Sequence, residues 1–86
     1  MRARVYVTLK REVLDPQGEA VRKGLTALGF PGVGEVRVGR VVDIELDATG
    51  RDPEALAVEL RGMADKLLAN PVIEDYRVEL DPPAGA

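Results

Sequence analysis

The chain contains no histidine, no cysteine, no tryptophan and, read through, no serine. General acid–base and covalent catalysis draw mainly on histidine, cysteine, serine, lysine and environment-tuned carboxylates, so most side chains suited to nucleophilic chemistry are missing. A partner in a larger assembly is a simpler expectation than a free-standing catalyst. Without cysteine the redox compartment is not encoded, and the cytoplasm is the default expectation. Aromatic residues are nearly absent, with only Tyr6, Phe30 and Tyr76. A net charge of -3 and a pI near 4.9 leave neither the positive field nor the stacking platforms that nucleic-acid binding uses, so no nucleic-acid partner is expected. No apolar run approaches the ~20 residues that span a bilayer. Met1 to Arg4 leads straight into an alternating pattern instead of an apolar export segment, so neither membrane nor secretion is expected.

What is present is a hydrophobic fraction of 45% and a charged fraction of 31% over 86 residues, which predicts one soluble domain with one core. Such a domain has a stability of about 4 to 13 kcal/mol, a margin that self-association would widen. Residues 1–80 are expected to form the domain and residues 81–86 a flexible tail. Val5, Val7 and Leu9 alternate with Arg4, Tyr6, Thr8 and Lys10, the pattern of a half-buried strand. Asp15-Pro16 reads as a helix start, followed by an apolar stripe of Val21, Leu25 and Leu28 with Ala20 and Gly24 beside it. Gly29 supplies a left-handed stop, and Phe30-Pro31-Gly32 cannot continue the helix.

From Glu35 to Asp47 alternation returns, with Val36, Val38, Val42, Ile44 and Leu46 on one parity. A tight hairpin at Gly39-Arg40 would oppose Val36 to Asp43; a longer loop or one continuous strand bent at Gly39 keeps the valines together, and the bent strand is favoured. Asp52-Pro53 repeats the helix-start device ahead of Leu56, Leu60, Met63 and Leu67, and Asn70-Pro71 ends that helix. Val72, Tyr76, Val78 and Leu80 then alternate as a last strand. The expected fold is α+β: a two-layer sandwich with an antiparallel sheet in β-α-β(β)-α-β order, a long bent central strand and both helices on one face.

Candidate chemistry is sparse. Glu74 and Asp75 are strand neighbours and point to opposite faces, which makes them charged surface and not an acid–base pair. Asp43, Glu45 and Asp47 share a face, but no calcium-type loop surrounds them and no metal site is expected. The glycines from Gly29 to Gly34 follow a helix instead of opening one, the wrong order for a phosphate cradle. Arg2, Arg4, Lys10 and Arg11 read as a solvated face, Tyr6 and Tyr76 as packing or interface anchors, and Asn70 first as a helix stop.

One stretch carries more. Leu67-Leu68-Ala69-Asn70-Pro71-Val72-Ile73-Glu74-Asp75-Tyr76 resembles the signature of the PurS family, the small subunit of bacterial phosphoribosylformylglycinamidine (FGAM) synthase. Leu9-Lys10, Val13-Leu14-Asp15-Pro16-Gln17-Gly18, Leu28-Gly29 and Val36-Arg37-Val38-Gly39-Arg40 extend the similarity from Val5 to Leu80. Arg40 departs from it where lysine is common. The resemblance implies a non-catalytic adaptor of an ATP-dependent amide ligase in purine biosynthesis, one that dimerises or tetramerises and bridges a glutaminase subunit (PurQ) and a large synthetase subunit (PurL). Ammonia from glutamine would then reach the synthetase without escaping to water. It further implies no cofactor in this chain, with ATP and magnesium in the synthetase. The segment Asn70 to Tyr76 and the turn Lys10 to Gly18 are expected to carry partner contacts, through Lys10, Asp15, Gln17, Asn70, Pro71, Glu74 and Tyr76. A dimeric regulatory domain that binds an amino acid or nucleotide is the alternative from another class.

Overall fold

A computed structural model describes residues 1–81. Strand β1 (Arg2–Leu9) is the centre of a three-stranded antiparallel sheet, flanked by β2 (Arg40–Glu45) and β3 (Glu74–Leu80). Helix α1 (Pro16–Ala27) follows β1, and helix α2 (Pro53–Met63) follows β2 and runs on into a π turn over Ala64–Leu68. The expected α+β class, antiparallel sheet and element order are all present.

Alternation along β1 decides which way the sheet faces. Ala3, Val5 and Val7 are fully buried, and the register sets Val5 between Val42 and Val78 and Ala3 between Ile44 and Leu80. Leu60 of α2 and Ala64 at the start of the π turn pack on this face, with Leu56 buried one turn earlier at the same spacing of four. The opposite face pairs its charges across strands. Arg4, flanked by Asp43 and Glu79, donates from Nε to Asp43 at 2.7 Å and is only 5% exposed. The Arg77 guanidinium lies 4.0 Å from the centroid of its neighbour Tyr6.

Both helices start as their Asp-Pro pairs dictate. Asp15 accepts from the Gly18 amide and Asp52 from the Glu54 amide, with proline next in each case. Gly29, at a φ of 100°, stops α1, and the Phe30 amide returns to the Leu25 carbonyl at 3.0 Å.

Three details depart from the periodic reading. First, Leu67 is 83% exposed, and Leu68 packs against the core in its place. The Ala69 amide reaches back five residues to the Ala64 carbonyl at 2.9 Å, so the π turn holds one extra residue and rotates the residues beyond it by about 100°. Second, the strand pairing of the central segment begins only at Arg40; residues 33–39 join no ladder, and β2 pairs with β1 alone. Gly39 passes so close to β1 that a Cβ there would lie 2.6 Å from the Val7 carbonyl oxygen, and the Val38 amide is taken by the Asp15 side chain instead of a strand.

Third, α2 covers the inner sheet face but α1 does not. Val21 is 40% and Leu28 76% exposed, and α1 contributes nothing to the core. Its apolar stripe reports that a face is to be buried and says nothing of what buries it. The radius of gyration, 16.2 Å, exceeds the roughly 12 Å of a compact chain of this length, as expected of a helix that stands away from the sheet. No helix among the described residues is long and apolar enough to cross a membrane. Apart from Asp81, the expected tail lies outside the described residues.

Candidate functional site

The turn after β1, the start of α1, the start of β2 and the loop before β3 meet at one end of the sheet. Asp15 ties the first three together, with Oδ1 accepting from the Gly18 amide and Oδ2 from the Val38 amide, each at 2.8 Å. Those two amides, with the positive Arg37 nearby, hold its carboxyl below the usual carboxylate range. Gly18 fits there because it has no side chain: a Cβ would lie 2.0 Å from the Val36 carbonyl oxygen. Arg37 braces the turn by donating to the Lys10 carbonyl at 2.8 Å and the Val13 carbonyl at 3.0 Å.

Across the sheet end, Arg40 grips Glu74 with two nitrogens, at 2.7 and 3.1 Å, and also donates to the Leu68 carbonyl. Glu74 accepts the Asn70 amide at 2.7 Å as well, and the Arg40 charge draws its carboxyl below its ordinary value. Asn70 caps its own turn, its side-chain oxygen accepting from the Val72 amide at 3.1 Å. Pro71 sits exposed in that turn, and the Lys10 amide bonds the Ile73 carbonyl at 2.9 Å. Lys10 Nζ pairs with Asp75 at 2.8 Å, which raises its pKa.

A cavity of about 370 Å3 lies between these elements, lined by Asp15, Gln17, Val38, Gly39, Arg40 and Glu74 above Val7 and Leu9. Of the expected contact residues, the structure therefore brings Asp15, Gln17 and Glu74 to one cavity, with Asn70 bonded to Glu74. Lys10 joins the same end from the other side of β1. Tyr76 stands apart. It lies beside Val7 on the inner face, its hydroxyl 3.4 Å from the Arg61 carbonyl, and burial together with Asp65 pushes its phenol up.

Every buried side-chain polar atom among the described residues has a partner, so this end of the sheet is a satisfied structural knot. Arg37 and Arg40, which stand in the family-like stretch but not among the expected contact residues, are its clasps. Asp43, Glu45 and Asp47 go to separate partners: Arg4, the chain's terminal amine and the Thr49 amide.

Around the knot the molecule leaves apolar side chains in water. Leu14 (82%), Leu28 and Phe30 (56%) flank α1, while Val58 (62%), Leu67 and Val72 (79%) lie on α2 and the turns after it. A small α+β domain with a fully hydrogen-bonded polar knot and uncovered apolar helix faces belongs to the class of assembly subunits.

Comparison with known proteins makes this specific. The sequence model of the family described as PurS, phosphoribosylformylglycinamidine (FGAM) synthase, matches residues 2–82. The chain belongs to the PurS family. It is 46% identical over 83 residues to phosphoribosylformylglycinamidine synthase subunit PurS of Synechocystis sp., a match that covers 96% of this chain and 81% of that protein. The crystal structure of Methanocaldococcus jannaschii PurS, described as one of the subunits of formylglycinamide ribonucleotide amidotransferase in the purine biosynthetic pathway, superposes with a TM-score of 0.81 at 38% identity. That match covers 91% of this chain and 92% of the other. A chain in the structure of PurLQS from Thermotoga maritima superposes with a TM-score of 0.80 at 27% identity, covering 91% and 93% of the two chains.

Proposed function

We propose that this chain is the small adaptor subunit of phosphoribosylformylglycinamidine synthase, acting in the cytoplasm in purine biosynthesis. It holds a glutaminase subunit and an ATP-dependent synthetase subunit together. Glutamine-derived ammonia then passes directly to formylglycinamide ribonucleotide, giving formylglycinamidine ribonucleotide at the expense of ATP. The chemistry belongs to the larger subunits, as do ATP and magnesium; this chain supplies geometry.

The observation that carries the reading is α1, a capped 12-residue helix with no place in the core. Isolated helices of that length are marginal in water, so its stripe of Val21, Leu25 and Leu28 calls for a cover from outside the monomer. The inner sheet face is also only partly closed on the β2 side, where Val42, Ile44 and Leu46 remain half-buried. A second copy that meets these two surfaces would complete the core. Self-association thus comes first, and the resulting oligomer carries the larger subunits.

The knot suits this role because hydrogen bonds and an ion pair tie its loops to one another. Arg40, Glu74 and Asn70 lock the loop before β3, and Asp15 locks the start of α1, so Gln17, Pro71 and Val72 are presented at fixed positions for contact. The test is co-purification from the source organism's extract with a tagged chain. Recovery of a glutaminase and a synthetase is the expected result, and recovery of neither would count against the adaptor role.

A further inference from the structure

Two adjacent leucines compete for one core position at the end of α2. At about 3.6 residues per turn, a helix that buries Leu56, Leu60 and Ala64 brings Leu67 to the same face. The π turn holds one residue more, so Leu68 takes that place and Leu67 stands 83% exposed. An unbroken α-helix would reverse the two. Apart from the small Ala69, leucine then replaces leucine against the same neighbours, so burial does little to separate the registers. Straightening the helix also restores ordinary α-helical hydrogen bonding. What holds the π register must therefore act from outside α2.

One set of contacts does so. Arg40 donates to the Leu68 carbonyl and Glu74 accepts from the Asn70 amide at 2.7 Å, so these two side chains seize the backbone on either side of the buried Ala69. They are bonded to each other at 2.7 and 3.1 Å. Arg40 begins β2 and Glu74 begins β3, which fixes both to the sheet and not to the helix. The loop between is closed as well. The Ile73 and Glu74 amides both return to the Asn70 carbonyl, and the Lys10 amide holds the Ile73 carbonyl. Erasing the π turn would feed one residue into this closed loop, which breaks the Asn70 bond to Glu74 and takes the Leu68 carbonyl away from Arg40.

We infer that Leu67 and Leu68 form a two-position register switch, and that the Arg40–Glu74 pair is the latch that keeps Leu68 in and Leu67 out. The Arg40 side chain is half-exposed, which leaves the latch within reach from solvent. Releasing it turns the segment beyond Ala64 by about 100°, hides Leu67 and slackens the loop from Asn70 to Val72. Anything that binds the exposed Leu67 or that closed loop selects the latched register. The inference needs no part of the adaptor role.

The chain has no cysteine, so a single introduced thiol reports each register directly. Leu67→Cys and Leu68→Cys are each made in the parent and in Arg40→Met. Alkylation by the neutral reagent iodoacetamide is timed in the folded chain and divided by the rate in denaturant. In the parent, the thiol at position 67 should react about tenfold faster than the one at position 68. Loss of the latch should slow position 67 by about threefold or more and speed position 68. The slowing is decisive, because destabilisation alone speeds labelling and cannot protect an exposed thiol. Circular dichroism establishes that each variant is folded, and Glu74→Gln takes the place of Arg40→Met if the latter is not. A rate at position 67 that is unchanged or faster in the folded latch variant overturns the inference. So does a parent in which position 67 reacts no faster than position 68.

Discussion

Substituting Gly18 by alanine sets two effects of opposite sign against each other. Alanine is the better helix former, by about 1 kcal/mol at an unconstrained interior position. Gly18, however, lies in the first turn of α1 with the Val36 backbone directly against it, and the new Cβ would sit 2.0 Å from that carbonyl oxygen. Reaching even 3.0 Å requires the two backbones to part by about 1 Å. Forcing atoms into a filled site costs about 1 to 3 kcal/mol, and the parting also stretches the Gly18 and Val38 bonds to Asp15, both now 2.8 Å. The clash wins because the helix gain is smaller in the first turn, for a net loss of about 1 to 2 kcal/mol, or a fall of about 4 to 16 °C in melting temperature. Gly62→Ala, into open space, is the control and should raise the melting temperature by a few degrees. Thermal melts followed by far-UV circular dichroism at one fixed protein concentration provide the assay. A Gly18→Ala melt at or above the parent's would show that α1 and the Val36 segment do not touch as described.

Other consequences arise from the same contacts. Leu60→Ala should cost about 2 to 5 kcal/mol in denaturant unfolding, since Leu60 is fully buried, whereas Leu67→Ala should cost under about 0.5 kcal/mol; equal costs would refute the phase shift at the π turn. Asp15, Glu19, Asp43, Asp47 and Glu74 are all held below their ordinary values, so the unfolded chain binds more protons in acid. Their stabilisation is present above about pH 4 and disappears as pH falls through the lowered folded values, and a melting temperature unchanged from pH 6 to 3 would contradict it. Asn70→Ala should leave the melt within a few degrees of the parent while weakening assembly with the larger subunits, measured by co-sedimentation; unchanged assembly would remove Asn70 from the contact surface.

Much of the fold is legible along the chain because its signals are local. An aspartate followed by proline starts each helix, Gly29 stops the first, and the alternation that carries Val5 and Val7 sets which face of β1 is buried. The features that escaped were set by contacts distant in sequence or outside the chain. The Leu56, Leu60, Met63, Leu67 spacing assumes 3.6 residues per turn throughout, and nothing local announces the extra residue that puts Leu68 inward. The α1 stripe has the proper spacing for burial but lacks its cover in this chain. Arg40 and Glu74 are 34 residues apart and meet only because β2 and β3 flank β1, so no spacing rule could pair them. Asp15 was readable as a cap, while its second role on the Val38 amide was not. The segment Asn70 to Tyr76, expected to carry partner contacts, stands out by resemblance, and the geometry adds that Asn70 and Glu74 hold their own loop together.

Nitrogen transfer in the reconstituted enzyme tests the central claim most directly. Synthetase and glutaminase subunits are assayed for formylglycinamidine ribonucleotide with and without this chain, with either glutamine or free ammonium as the nitrogen source. The adaptor account predicts that glutamine-driven turnover requires the chain while ammonium-driven turnover proceeds without it. Glutamine-driven turnover that is equally fast in its absence would contradict the account.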